Sequence, residues 1–214
     1  MLKAMIFDMD DVIINSIKIE FPAWERLFSD FGQKLDLKVY KSFLGMKSVE
    51  LIKRFIPVVK DEELSSLANR KEIYFIELLK KEGISMTPGV IDFLDSVKGR
   101  YGLAIATAAP DMKLNEILEL IHLKRYFKVI ITADHIAKGK PDPEIFLKAA
   151  ERLKVSPRDC VVFEDAPNCV RAAKAGGMKC VAITTTHTKG ELKEADLVID
   201  SFSDIDVSKI KKLF

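Results

Sequence analysis

Short runs rich in Val, Ile and Ala at residues 3–8, 101–106, 128–132, 160–163, 179–183 and 196–199 punctuate this chain, and segments of helical period lie between most of them. Strands alternating with helices pair in parallel, so the pattern predicts an α/β fold, a doubly wound parallel sheet with helices on its faces. The spacing within 143–154 puts Ile145, Phe146, Ala149, Ala150 and Leu153 on one face and Glu144, Lys148, Glu151 and Arg152 on the other, with Pro143 in the first turn. Segment 111–122 repeats this with Leu114, Ile117, Leu118 and Ile121, and Asp111 after Pro110 is the expected N-cap.

The alternation breaks once. Residues 16–87 read as helices only, so they form an insertion, a helical domain carried by a core made of 1–15 and 88–214. Within it Ile17, Phe21, Trp24, Phe28 and Phe31 recur at spacings of four and three, which predicts a helix burying an aromatic stripe. A second helix is expected over 61–83, with Leu64, Leu67, Ala68, Phe75, Leu78 and Leu79 inward and Gly83 as its stop. Thr87-Pro88-Gly89 marks the return to the core.

Composition narrows the function classes. The 34 basic and 32 acidic residues nearly cancel, which argues against nucleic acid and against a polybasic membrane surface and for a small-molecule partner. Cys160, Cys169 and Cys180 are odd in number and lack Cys-x-x-Cys spacing, so reduced, buried thiols are expected rather than disulfides or zinc. No basic-then-apolar leader opens the sequence and no uncharged stretch is long enough to span a bilayer, so a soluble, cytoplasmic protein is expected, monomeric or a small homo-oligomer.

The chemistry is concentrated where strands end. Asp8 and Asp10 follow the first apolar run two residues apart, so an extended backbone projects both carboxylates the same way at the sheet's C-terminal edge, where open α/β sheets bind ligands. Two such charges repel unless a proton or a hard divalent cation relieves them. Alone, the triplet reads equally well as a solvated acidic turn. Three further elements end other strands: Thr107-Ala108-Ala109-Pro110, a candidate anion cradle at a helix start; Gly139-Lys140-Pro141-Asp142-Pro143, which holds one lysine at a stiffened helix mouth; and Glu164-Asp165, a second acidic pair.

In this order the elements resemble the four signatures of the haloacid dehalogenase (HAD) superfamily, with Asp8-Met9-Asp10, Thr107, Lys140 and Glu164-Asp165 as motifs one to four. The segment Arg171 to Met178 is also similar to the helix and turn after motif four, and the insertion resembles the helical cap of the subclass containing β-phosphoglucomutases, phosphoglycolate phosphatases and small sugar-phosphate phosphatases. The resemblance implies a phosphatase acting on a small phosphorylated metabolite, with Asp8 as nucleophile and Asp10 as general acid and base. It further implies Mg²⁺ held by Asp8, the Asp10 carbonyl and Asp165, with Glu164 in support. Phosphoryl oxygens would meet Thr107, Lys140 and the N–H groups of Met9 and Ala108.

Two departures stand out. Asp11 occupies a position where the family nearly always has glycine. Where β-phosphoglucomutases carry a cap-helix His, a cap-loop Arg and a Lys soon after motif two, this chain has Glu20, Lys47 and Pro110, which weakens a phosphomutase reading in favour of hydrolysis. A non-catalytic phosphometabolite-binding protein is the remaining alternative. The loop Leu44 to Ser48 is the segment expected to read the substrate, with Gly45 as helix terminator, Ser48 as the next N-cap and Lys47 as a substrate contact. The basic residues Lys38, Lys41, Lys47, Lys53 and Arg54, against Glu50 alone, suit an anionic substrate. His122, His135 and His187 share no spacing and are read as incidental.

Overall fold

The computed structural model describes all residues, 1–214. Its strands are β1 (Ala4–Phe7), β2 (Gly102–Ala106), β3 (Val129–Ile131), β4 (Cys160–Glu164), β5 (Lys179–Ile183) and β6 (Leu197–Ile199). Every pairing is parallel, in the order β3-β2-β1-β4-β5-β6. Each boundary lies within one residue of its apolar run. The chain winds outward through β1, β2 and β3, then crosses to β4 and winds the other way. The crevice beyond the C-terminal ends of β1 and β4 is therefore the switch point of the sheet.

Helices cover both faces and build the insertion: α1 (Ile17–Ser29), α2 (Leu37–Lys41), α3 (Ser48–Phe55), α4 (Leu64–Glu82), α5 (Val90–Val97), α6 (Asp111–Ile121), α7 (Glu144–Leu153), α8 (Pro167–Ala175) and α9 (Val207–Lys211). Strand alternation sorts side chains by size. Met5, Phe7, Leu103, Ile105, Val161 and Phe163 point to one face, where Phe7 stacks on Phe163 at 4.6 Å between ring centroids. Ala4, Ile6, Ala104, Ala106, Cys160, Val162, Cys180 and Ala182 point to the other and let α7 and α8 approach closely. All three cysteines are buried free thiols.

The insertion leaves and rejoins the core along two adjacent backbones. The Asn15 N–H donates to Ser85 O, and the Thr87 N–H donates to Ile13 O, both at 2.9 Å. Between them α1 shows two buried faces rather than a single aromatic stripe. Trp24, Leu27 and Phe28 pack inside the insertion with Tyr40, Leu51, Ile52, Ile56 and Leu67, whereas Ile19 and Ala23, with Phe75 and Leu79 of α4, join the core's own apolar cluster. Phe21 and Phe31 are only half-buried, Phe31 lying beyond the helix end. Gly83 does stop α4, with φ of 70°.

Two expected caps are displaced. Pro110 takes the N-cap position of α6, and Asp111 is its first helical residue. Asp134 from the neighbouring loop accepts the Asp111 N–H at 2.8 Å, leaving the Asp111 carboxylate to accept from the Thr132 hydroxyl. Lys47, not Ser48, is the N-cap of α3, and Glu50 reaches back to accept the Lys47 N–H at 3.2 Å. Gly45 lies beyond the end of α2 and is required for another reason: at its φ of 87° a Cβ would sit 2.2 Å from Cys169 Sγ and 3.1 Å from Lys140 Cδ. Only a bare backbone lets this loop rest on the core.

Candidate active site

β1 ends at Phe7, so Asp8 emerges at the switch point beside β4, its N–H donating to Phe163 O at 3.1 Å. The carboxylate is buried, and its Oδ1 lies 3.1 Å from Lys140 Nζ yet outside hydrogen-bonding geometry, leaving that buried oxygen without a hydrogen bond. Lys140 itself is buried; its ammonium donates to Glu164 Oε1 at 2.5 Å and to Ala106 O at 3.5 Å. Carboxylate oxygens of Asp8, Glu164 and Asp165 lie within 4.8 Å of one another.

Gathering three carboxylates away from water raises their affinity for protons. Burial pushes Asp8 up against the opposing pull of Lys140. It lifts Glu164 to about 8, again opposed by Lys140, and carries Asp165 well above the carboxylate range with help from Asp11 and Glu164. One lysine does not neutralise this cluster. An all-oxygen donor set with an orphaned, buried oxygen fits a hard divalent cation. The carboxylate of Asp10 is not part of it. That side chain turns the other way, toward Lys113.

Motif two lies across the crevice. Thr107 is buried, and its hydroxyl oxygen accepts from the Ala109 N–H at 3.1 Å. The Met9 and Ala108 N–H groups reach no backbone carbonyl. A small pocket, about 60 Å³ in volume, joins Asp8, Asp10 and Ala108 to Glu20, Lys71 and Glu72 of the inserted helices.

Sequence reasoning missed the lysine that matters most here. Lys113, in the first turn of α6, is buried and donates to both Asp10 Oδ1 and Glu20 Oε2 at 2.8 Å. Pro110 supplies no donor, but the next turn of the same helix does. Lys71 extends the chain of charges, 2.6 Å from Glu20 Oε1 and 2.7 Å from Glu72 Oε1. Burial resists the ionisation of Glu20, but Lys113 and Lys71 outweigh it and bring its carboxyl down to about 2. Burial likewise disfavours charge on Lys113, yet Asp10, Glu20 and Glu72 raise its pKa above the ordinary lysine value. A single sequence carries no signal for this, because a lysine in a polar helix segment ordinarily faces water.

Several expectations are corrected. Lys47 does not line the pocket; its ammonium donates to Ile136 O at 2.9 Å and fastens the insertion to the core. Three more of the basic excess are committed elsewhere: Lys41 donates to Thr186 O, Lys53 to Asp61, and Arg54 lies over the Phe43 ring. Asp11 adopts the positive φ of 56° that its position demands. It also accepts from the Ile17 N–H at 3.0 Å and the Ser16 hydroxyl at 3.4 Å, so the extra carboxylate caps the start of α1. The Asp165 carboxylate accepts from the Thr186 hydroxyl, and Ala166 is the N-cap residue of α8. His187 is not incidental, since its Nδ1 lies 2.8 Å from the Thr186 hydroxyl and 3.2 Å from Asp165 O, behind the acidic cluster.

Fold and site together define an α/β enzyme whose helical cap roofs an acidic centre at the sheet's switch point. A family model described as haloacid dehalogenase-like hydrolase matches residues 5–183. The chain belongs to that family. It is 32% identical over 206 residues, covering 96% of each chain, to a validoxylamine A 7'-phosphate phosphatase of Streptomyces hygroscopicus subsp. limoneus. It is 34% identical over 184 residues, 83% of each chain, to a phosphorylated carbohydrates phosphatase of Thermotoga maritima. The crystal structure of a β-phosphoglucomutase from Clostridium difficile superposes with a TM-score of 0.90 at 27% identity, covering 100% of this chain and 97% of that one.

Proposed function

We propose that this chain hydrolyses a small phosphomonoester through a phosphoryl group carried transiently on Asp8, with Mg²⁺ as the cation. It is a phosphoric monoester hydrolase, as phosphatase relatives matching along most of its length support. The observation that carries the mechanism is Asp8 itself: a buried carboxylate with a free oxygen, between Lys140 and two further carboxylates, opening into the same pocket as Asp10.

In the first half-reaction an Asp8 oxygen forms a bond to phosphorus while the bond to the leaving alkoxide breaks, and Asp10 delivers the proton that the alkoxide takes up. In the second, water attacks the phosphoryl group, Asp10 receives its proton, and phosphate departs as Asp8 is restored. Thr107, Lys140 and the N–H groups of Met9 and Ala108 surround the phosphoryl oxygens with donors already in place, so little reorganisation opposes the transition state. Asp8, Asp165 and the Asp10 carbonyl would hold Mg²⁺, with Glu164 supporting. Bound there, the cation offsets the charge of both nucleophile and phosphate. Lys113 holds the Asp10 carboxylate in place, donating to its Oδ1 at 2.8 Å.

Phosphate release from a panel of phosphate esters with Mg²⁺ tests the reading. The wild type is expected to release phosphate from at least one member and from p-nitrophenyl phosphate, and Asp8→Asn to lose at least about 10⁴-fold in kcat while keeping its circular dichroism spectrum. A well-folded Asp8→Asn enzyme within tenfold of wild type would refute the nucleophile.

A further inference from the structure

The Asp10 carboxylate is fastened at one point. Its side chain is 23% exposed, the Lys113 ammonium donates to Oδ1 at 2.8 Å, and no protein group donates to Oδ2. A carboxylate held at one point turns about its side-chain bonds unless that point is itself rigid. A misplacement of about 1 Å can cost a reaction about 100-fold. Whatever fixes Lys113 therefore fixes Asp10.

Lys113 is built to be that rigid point. It lies in the first turn of α6, the helix that follows Thr107-Ala108-Ala109-Pro110, so it is tied to the same strand end as motif two. Its buried ammonium meets Asp10 Oδ1 and Glu20 Oε2, each at 2.8 Å, and the Phe75 ring, whose centroid is 4.2 Å away. Glu20 is held in turn: its Oε1 accepts from Lys71 at 2.6 Å and from the Trp24 indole N–H at 3.1 Å. A buried network with its charges paired in this way rigidifies its members.

We propose that Lys113 is the positioning residue of the general acid and base: by occupying Oδ1 it fixes the Asp10 carboxyl and leaves Oδ2 as the oxygen that passes protons. The inference rests on the phosphatase reading and adds the residue that aims its acid. Oδ2–H gives its proton to the leaving oxygen as the P–O bond breaks, and the carboxylate so formed takes one from the attacking water. Lys113 keeps its own protons throughout. An ammonium between two carboxylates could instead be only a counter-ion of the lattice, and the leaving group separates the two roles. A departing alkoxide needs a proton, whereas p-nitrophenolate is stable without one.

Benzyl phosphate, or the alkyl ester of the panel that is turned over fastest, is compared with p-nitrophenyl phosphate on the same enzyme with Mg²⁺. The quantity read is the ratio of their kcat/KM values, which reports the steps through loss of the leaving group and in which the folded fraction of the enzyme cancels. Lys113→Met is expected to lower the alkyl over p-nitrophenyl ratio by about 100-fold. Glu20→Gln/Lys113→Met removes the carboxylate that the single change would strand, and is expected to give the same fall. Glu20→Gln alone disturbs the lattice yet keeps the bond to Asp10, so the ratio is expected to move less than about threefold; a fall there as large as in the Lys113 variants would assign the effect to the lattice and overturn the inference. A ratio within about threefold of wild type in the Lys113 variants, or a loss shared by both esters, overturns it too and leaves the phosphatase reading standing. A wild type that hydrolyses p-nitrophenyl phosphate and no alkyl ester has no working acid to position and also overturns it alone. No hydrolysis of any ester, p-nitrophenyl phosphate included, overturns the phosphatase reading and this inference with it.

Discussion

Replacing Lys140 with methionine keeps the volume of the side chain and removes its charge. In the folded protein that ammonium is 1% exposed, 2.5 Å from a Glu164 carboxylate that is wholly buried and 3.1 Å from Asp8. Removing one partner of a buried ion pair costs about 3–5 kcal/mol, because the other is left in a medium that cannot solvate it. Here the cost falls at the lower end near neutral pH. Burial already lifts Glu164 to about 8 and raises Asp8, so the stranded carboxyls take up protons instead of remaining charged. For a chain of 214 residues, a loss of about 3 kcal/mol lowers Tm by about 10 °C. Thermal melts followed by circular dichroism in EDTA at pH 7 measure it. Under the proposed mechanism the same variant also loses a donor to the phosphoryl oxygens, and one such donor contributes about 3 kcal/mol to the barrier, so kcat is expected to fall about 100-fold with KM changed less than about threefold. A Tm within about 3 °C of wild type would refute the burial argument. A loss appearing mainly in KM would refute the transition-state role.

Two predictions concern pH. Without metal, Glu164 has a folded pKa of about 8 against an ordinary value of 4.5, so its contribution to stability is full below about 4.5 and is lost as pH rises through about 8. Metal-free protein is therefore expected to melt lower at pH 8 than at pH 5.5, Mg²⁺ to raise Tm more at pH 8, and EDTA to abolish turnover until Mg²⁺ is restored; a Mg²⁺ effect on Tm equal at both pH values would count against the acidic cluster. Burial lifts Asp11 to about 7, so its favourable contribution is present below about 4 and gone above about 7. Asp11→Asn keeps an acceptor for the Ile17 N–H and discards the charge, so in EDTA it should melt higher than wild type at pH 8 and about equally at pH 4; a lower Tm at pH 8 would show that the cap bond requires the carboxylate.

Much of this protein could be read along the chain. The strands were legible because a sheet covered on both faces needs apolar side chains in both registers, which shows as short unbroken runs such as Met5-Ile6-Phe7 and Val161-Val162-Phe163. That Asp8, Lys140, Glu164 and Asp165 gather at one edge of the sheet was legible because segments that follow parallel strands converge there, and the strand ends were known. Local geometry was less so. The caps at Pro110 and Lys47 shifted by one residue because Asp134, from a distant loop, and Glu50, in the first turn of α3 itself, supply the acceptors that the sequence assigned to Asp111 and Ser48.

What the amino-acid order determined was a parallel sheet, its inserted helices and a row of acidic and basic groups along one edge. Only the tertiary structure decided what each charge faces. Lys47 looked like a substrate ligand and holds the cap to the core instead, while Lys113 and Lys71, unremarked on polar helix segments, form a buried lattice with Glu20, Glu72 and Asp10. Periodicity records which side of an element meets apolar surroundings, whereas the partner of a buried charge comes from a distant segment. Glu20 and Lys113 are 93 residues apart in the chain and 2.8 Å apart in space, and that proximity exists only after the cap has closed over the sheet.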